Sequence, residues 1–392
     1  MKECKLLNFY IVAMSMAAVL ALSGCVEEYE ADISSEDSNL LVVEGSICSE
    51  KLNKFVLSRT QALNSSNTPQ MVTGAKVSVR GSDGSEYTAQ PSDGYYACQV
   101  GALSSDVEYY LHIEADGEVY ESEPQAPLRT EEIAEVTGEQ DTPESNIDVL
   151  VTPAEPFATD KVTYYSWTYD ETWEVHPEYR TYMYYDTRLL CPVVKMGLFP
   201  ERGWKDAKSS TIIVGTSRNY EGQHIRRLKM YDIDRGNERV FYKYSGLVHQ
   251  RAITKAEYEY ELARRQTSSE MGGLFTPLPS ALPTNIHCLT SKKHVIGFVG
   301  CSLNTSERRF FLRAMDYSIN RPYLKDSRLW YENPSPTFCC QLVERGLFLC
   351  EWKTDMMTPD GEPLVQTAWA YDYQLDVRLR GAYIEKPDFW ED

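Results

Sequence analysis

The chain has 392 residues, with 58 acidic against 39 basic side chains and a formal net charge of −19. Such a surface repels a phosphate backbone, and no Lys/Arg stripe offsets it, so the composition speaks against nucleic acid as a partner. Apolar residues at 42% suffice for packed cores, while 27 Tyr and 7 Trp in a chain with few helical patterns point to sheets.

Lys2 and Lys5 precede an apolar run over 6–22 that is broken only by Asn8 and Ser15 and closes on Leu22-Ser23-Gly24-Cys25. A basic lead, a short apolar stretch and small residues form a secretory signal over 1–24. Its ending resembles the bacterial lipobox, in which the cysteine is acylated (palmitate is one such group) and becomes the first mature residue. The run is also near the lower length limit for a transmembrane anchor. Small residues ending at a cysteine favour the lipoprotein reading. Residues 25–39 are acidic and poor in apolar side chains, and read as a solvated tether. Glu27 and Glu28 resemble the surface-export signal of Bacteroidetes-type lipoproteins.

Short strands are expected at 40–47, 55–59, 76–80, 86–90, 95–100, 109–115 and 118–123, each rich in β-branched or aromatic residues. Asp-Gly at 83–84, 93–94 and 116–117 supplies turn chemistry between them. Together they predict a mainly β protein whose first domain, 40–130, is an immunoglobulin- or transthyretin-like β-sandwich. The acidic stretch 131–145 reads as a linker to a larger β-rich domain, 146–392. Cys48 and Cys98 fall in the same unit, so a bridge between them is conceivable. Discounting Cys4 and Cys25 leaves eight cysteines, which admit on the order of a hundred pairings. Disulfides, buried thiols and a zinc site all remain open, with no CxxC pair to favour the metal.

The second domain opens with a strand at 147–151 and then Thr163–Val175, TYYSWTYDETWEV. Tyr165, Trp167, Tyr169, Trp173 and Val175 share one parity, and Ser166, Thr168, Asp170, Thr172 and Glu174 the other. Period-two alternation of this length is a half-buried strand. Its aromatic face is either core or a stacking platform for a ligand, so Tyr165, Trp167, Tyr169 and Trp173 are the candidate binding residues. Further strands are expected at 210–215, 225–233, 239–244, 295–299, 310–314 and 375–380. One amphipathic helix, 254–266, carries a Thr254/Glu257 capping box and an Ile253/Tyr258 staple, with Tyr258 and Leu262 facing the sheet.

Motifs of catalysis are missing: there is no Gly-x-Ser-x-Gly elbow, His-Glu-x-x-His helix or phosphate-cradling loop. No catalytic residue, cofactor or metal ligand is therefore assigned. His176, beside Glu174 and Glu178, is the best acid–base candidate, although a lone His in an aromatic strand is more often structural. Pairing Glu171 with Glu174 as a glycosidase dyad is arbitrary without geometry. The stretch 232–237, DIDRGN, fits a hairpin turn better than a calcium loop.

The order of these features resembles a Bacteroidetes lipoprotein family catalogued as domain of unknown function 4249. The resemblance runs through LLVVEG (40–45), SDGYY (92–96), YYSWTYDETWEV (164–175), YSGLVHQRAITKAEY (244–258), GGLFTPLPSALPTNI (272–286), HVIGFVG (294–300) and KPDFW (386–390). Members usually carry a close cysteine pair before Pro-Asp-Phe-Trp, whereas Cys339, Cys340 and Cys350 lie further upstream here. The resemblance implies an outer-membrane lipoprotein encoded beside TonB-dependent transporters, and it transfers no catalytic residue. The expectation is a non-enzymatic accessory or ligand-capture protein, lipid-anchored at the outer membrane and facing the exterior. Its expected partners are a TonB-dependent transporter and an oligosaccharide or peptide ligand. A structural adhesin or pilus-type protein is the alternative, and a hydrolase using scattered carboxylates a third reading.

Overall fold

Period-two alternation carries most of the architecture. The computed structural model describes residues 39–60, 70–157, 161–269, 282–322 and 325–391, and strand outweighs helix 46% to 13%, which makes the chain mainly β as expected. The lipobox residues Leu22, Ser23, Gly24 and Cys25, together with Glu27 and Glu28, lie outside the described residues. Among the described residues no helix is long and apolar enough to cross a membrane.

The amino-terminal unit consists of two sheets sharing one core. One sheet contains Leu41–Glu44, Leu52–Arg59 and Tyr95–Gln99; the other contains Lys76–Gly81, Tyr109–Ala115 and Glu118–Ser122. Inward residues of both, among them Leu41, Phe55, Val77, Val79, Leu111 and Ile113, are almost fully buried. Asp116 and Gly117 both adopt positive φ (54° and 79°) between two paired strands, the mirror-image turn that matches strand twist.

This unit is not the contiguous 40–130 block expected from the sequence. Val295–Gly297 adds in parallel to Leu41–Glu44, and Ile286–Cys288 adds antiparallel to Glu118–Ser122. Cys301–Ser302 pairs with Ile47–Cys48. Asn285, 2% exposed, clamps the returning segment: its side chain exchanges two 2.9 Å hydrogen bonds with the Val299 backbone, and its carbonyl accepts from Glu123 N at 2.7 Å. The boundary at 130 does not hold because strand pairing has no sequence-distance limit, so an edge strand can be supplied from far along the chain.

The 131–145 linker is also corrected. Ile133–Glu139 is a strand paired with Ile147–Pro153, which pairs in turn with Leu228–Ile233. This three-stranded sheet packs on the sheet built around Tyr164–Val175. That long strand pairs with Gly203–Lys208 and Ile213–Thr216 along one edge and with Lys243–Ala252 along the other, and Ser306–Arg313 closes the order.

A third core joins Tyr185, Cys339, Leu342, Leu349 and Trp369. It is built from helix Pro336–Glu344, the hairpin Met183–Asp186/Cys191–Val194 and the sheet of Leu329–Glu332, Pro363–Tyr371 and Leu347–Met357. The last three strands and the helix are additions to the elements expected from sequence. Their local signals are nonetheless present: Ser335 caps the helix by accepting from Phe338 N at 3.2 Å with Pro336 next in line, and Asp360-Gly361 marks the turn between the long strands.

Other expectations shift locally. The stretch 375–380 is helical, not a strand, because Asp376 accepts from Arg378 N at 3.0 Å and Gly381 ends the turn at φ 82°. Residues 238–240 form a 3-10 turn capped by Asn237, so the following strand begins only at Lys243. The amphipathic helix spans Lys255–Ser269. Thr254 Oγ1 caps it by accepting from Glu257 N at 3.1 Å, but the Glu257 side chain turns to Arg251 instead of closing a capping box. The helix consequently buries Glu257 and Tyr260, while Tyr258 and Leu262 are only half-buried. All eight described cysteines are free thiols. Cys98 donates to the Tyr87 carbonyl at 3.2 Å inside the first core, and Cys48 belongs to the Cys301–Ser302 pairing, so neither engages the other.

Gly297 tests the returning segment. Its φ is +143°, and an added Cβ would lie 2.2 Å from the Val43 carbonyl oxygen. Gly297→Ala is therefore expected to destabilise the protein by about 2–4 kcal/mol. Thermal denaturation checks this, and an unchanged midpoint would show that the segment is not integral to the amino-terminal unit.

Candidate functional site

The strand Tyr164–Val175 has two faces with different fates. Tyr165, Trp167, Tyr169 and Trp173 all point inward and are buried, Trp167 at 1% exposure. They pack with Ile147, Val149, Ile233, Tyr244 and Val248 from the neighbouring strands. A ligand cannot stack on rings already covered by a second sheet, so the binding-platform alternative is corrected and these four residues are core.

Two of their polar tips find partners within the core, whereas Trp173 Nε1 is buried without one. Trp167 Nε1 donates to Gln250 Oε1 at 2.9 Å, and Tyr165 Oη donates to Glu131 Oε2 at 2.6 Å. Burial, with that carboxylate adding to it, pushes the Tyr165 hydroxyl far above its ordinary pKa. Glu171, on the same inward face and 5% exposed, accepts from Arg239 Nη1 at 2.7 Å and Tyr244 Oη at 2.8 Å. Tyr231 Oη lies 2.8 Å from Tyr244 Oη, and its ring stacks on Tyr169 at 3.9 Å. A buried carboxylate needs such partners. Glu171 and Glu174 point to opposite faces of one strand, so they cannot flank a common bond as a dyad.

The outward face leads to the candidate site. At its carboxyl end, Glu174 joins Tyr242, Lys243, Arg313, Met315, Tyr317, Ile319 and Arg321 around an open cleft of about 660 Å³. Lys243 and Arg313 are direct cross-strand partners, which sets two like charges side by side at the cleft. Lys243 donates to the Glu391 carbonyl and lies over the Phe311 and Trp390 rings. Arg321 donates to the Phe241 carbonyl and sits 4.7 Å from the Tyr242 ring centre. Among the described residues no carboxylate forms an ion pair with Arg313. Met315, 84% exposed, gives the rim an apolar surface.

His176, the acid–base candidate, lies behind this cleft. Its Nε2 is 2.6 Å from Glu174 Oε1, its ring stacks on Tyr242 at 3.7 Å, and its carbonyl accepts from Arg380 Nη2. The contact to His176 holds the Glu174 carboxyl below its ordinary value of 4.5, with Arg202 reinforcing it against the opposing effect of burial. With Nε2 on Glu174, Nδ1 3.5 Å from Arg180 Nη2 and a ring face on Tyr242, His176 positions the cleft's Tyr242 and Glu174. Glu178 is placed apart, reaching Gln374 Nε2 at 3.2 Å. The DIDRGN stretch is a turn, with Asp234 Oδ1 accepting from Gly236 N at 2.6 Å. Among the described residues no cluster of three or more His, Cys, Asp or Glu is arranged to hold a metal.

The carboxy-terminal KPDFW motif packs beside the cleft residue Lys243, which lies over the Trp390 ring. Trp390 is 3% exposed and meets Trp204 and Phe311 edge-on at 6.2 and 6.0 Å, while Arg309 lies over Phe389 at 3.4 Å. The cationic residues escape a reading of the sequence because Lys243, Arg313 and Arg321 are scattered along the chain. Only the pairing of Lys243–Ala252 with Ser306–Arg313 brings the first two together.

Trp167→Ala removes a fully buried ring and strands Gln250, so it is expected to cost about 3–5 kcal/mol in chemical denaturation. A ligand-binding defect without destabilisation would return that face to a binding role. For Glu174, a folded pKa below the unfolded one means its contribution is present above about 4.5 and is lost as pH falls through the lower folded value. Below about pH 4.5, wild-type stability should thus fall more steeply than that of Glu174→Gln. Parallel curves would contradict the assignment.

The description of the family model matching residues 26–308 is domain of unknown function DUF4249. No curated protein matches the chain. A solved structure of a DUF4785 family protein from Legionella pneumophila shares 9% identity, covering 54% of this chain, with a TM-score of 0.15. The chain spans about half the length of that protein (52%).

Proposed function

The chain belongs to the DUF4249 family, and on that premise we propose that it is a non-enzymatic ligand-capture or accessory protein of a TonB-dependent nutrient uptake system. In this reading Cys25 carries the lipid, Glu27 and Glu28 direct export to the cell exterior, and the outer membrane holds the chain beside its transporter. The amino-terminal two-sheet unit, taken as an immunoglobulin- or transthyretin-like sandwich, serves as the stalk.

The observation that carries the reading is the cross-strand pair Lys243/Arg313, with Arg321 on the same cleft. Three cations beside Tyr242 and Tyr317, on a chain of net charge −19, form a local sign reversal. Guanidinium groups suit carboxylates bidentately, and tyrosine rings suit sugar or peptide faces. The fitting ligand is an oligosaccharide or peptide bearing an acidic group. The His176–Glu174 contact leaves the cleft with positioning chemistry and no free nucleophile–base pair, which favours capture over turnover.

Affinity isolation of the native protein from outer membranes should recover a TonB-dependent transporter together with acidic ligand. Arg313→Glu combined with Arg321→Glu should weaken retention of acidic oligosaccharides or peptides roughly a hundredfold and leave neutral ones unchanged. Repeated recovery as a lone monomer, or equal retention of acidic and neutral ligands, would count against the proposal.

A further inference from the structure

The hairpin Met183–Asp186/Cys191–Val194 stands at the margin of the third core, and its outer strand pairs only with its inner one among the described residues. The inner strand is anchored, because Tyr185 is buried against Trp369 and Trp352. Among the described residues none pairs with the outer margin. Leu189 is 68% exposed, Leu190 50%, Val194 75% and Met196 68%. Scattered surface leucines need no account, but four strongly exposed apolar side chains within eight residues of one hairpin are a local concentration.

Two further observations bear on what covers it. Leu190 sits in the turn at φ 54°, a conformation for which glycine or asparagine is the ordinary choice, so an exposed leucine is kept there at a conformational cost. The charge pattern is also local and one-signed. Residues 187–200 contain Arg188 and Lys195 and no acidic residue, in a chain with 58 acidic side chains. Both cations are exposed, Arg188 just before Leu189 and Lys195 between Val194 and Met196. The nearest carboxylate, Asp186, is spent on the turn, accepting from Arg188 N at 2.8 Å and Leu189 N at 2.9 Å.

We propose that this hairpin margin is a membrane-contact edge that lies in the interfacial layer of an anionic bilayer, with Leu189, Leu190, Val194 and Met196 inserted and Arg188 and Lys195 on the headgroups. Apolar insertion flanked by cations is the interfacial binding pattern. A protein partner adding a strand here is disfavoured, since Pro192 in the outer strand lacks the N–H that edge pairing needs. This contact is independent of the cleft and of any acyl group, and it would orient the third core against the membrane.

The test uses the full chain carrying Cys25→Ala, so that no acyl group enters, and vesicles of phosphatidylcholine with or without phosphatidylglycerol. Every protein in the comparison shares residues 1–24, so differences between variants report the hairpin alone. Leu189→Ser with Leu190→Asn suits the turn and keeps the fold, which circular dichroism checks, and it should lower vesicle binding roughly tenfold. Arg188→Gln with Lys195→Gln should abolish the preference for phosphatidylglycerol, expected to be roughly tenfold in the parent. Binding unchanged by either pair overturns the proposal, as does a photo-crosslinker at Val194 that captures protein and no lipid in cells.

Discussion

The alternation of one strand, Tyr164–Val175, sets what is buried and what faces outward across the central sheet. A twelve-residue strand with large aromatics on one parity can satisfy them only by covering that face with a second sheet. Here Ile147–Pro153 and its neighbours supply the cover. That commitment forces Glu171, on the same parity, into the interior, where Arg239 and Tyr244 must satisfy it. It also fixes what faces outward. Glu174 emerges at the end of the strand beside Tyr242 and the cationic residues because its inward neighbours Trp173 and Val175 hold the register.

A second constraint links the units. Residues 285–302 return to complete the amino-terminal sheets, and the chain then passes directly into Ser306–Arg313, the outer strand of the central sheet. Glu131 ties the same junction from the other side, through Tyr165 and through its own carbonyl, which accepts from Gln250. The amino-terminal unit and the central sheet thus share covalent and hydrogen-bonded crossings at two places. These crossings tie the amino-terminal unit to the sheet that bears the cleft, a linkage that fits the proposed ligand capture.

Much of the fold is legible in the sequence because its signals are local. Alternation at Lys76–Gly81 and Tyr164–Val175, the Asp-Gly turns and the Thr254 cap each state their structure within a few residues. What is not legible depends on pairing across the chain. Val295–Gly297 reads as a strand anywhere, and nothing local says that it joins Leu41–Glu44 in parallel. The same holds for the site. His176 and Glu174 are neighbours in sequence and stand out as a pair, whereas Lys243, Arg313 and Arg321 acquire meaning only from strand register. The aromatic parity of Tyr164–Val175 is evident from sequence, but parity alone cannot tell a core face from a binding face, since both are apolar and alternate. The depth of cover decides, and that is a tertiary property.

Capture of an acidic ligand, as proposed, would engage the cleft bounded by Glu174, Tyr242, Lys243, Arg313, Tyr317 and Arg321. Backbone hydrogen exchange of the protein, with and without a saturating mixture of acidic oligosaccharides and peptides, reads that engagement. Capture predicts added protection confined to the segments 174–176, 241–244 and 313–321. No change in exchange, or protection centred on the amino-terminal sheets with these segments unaffected, would contradict it.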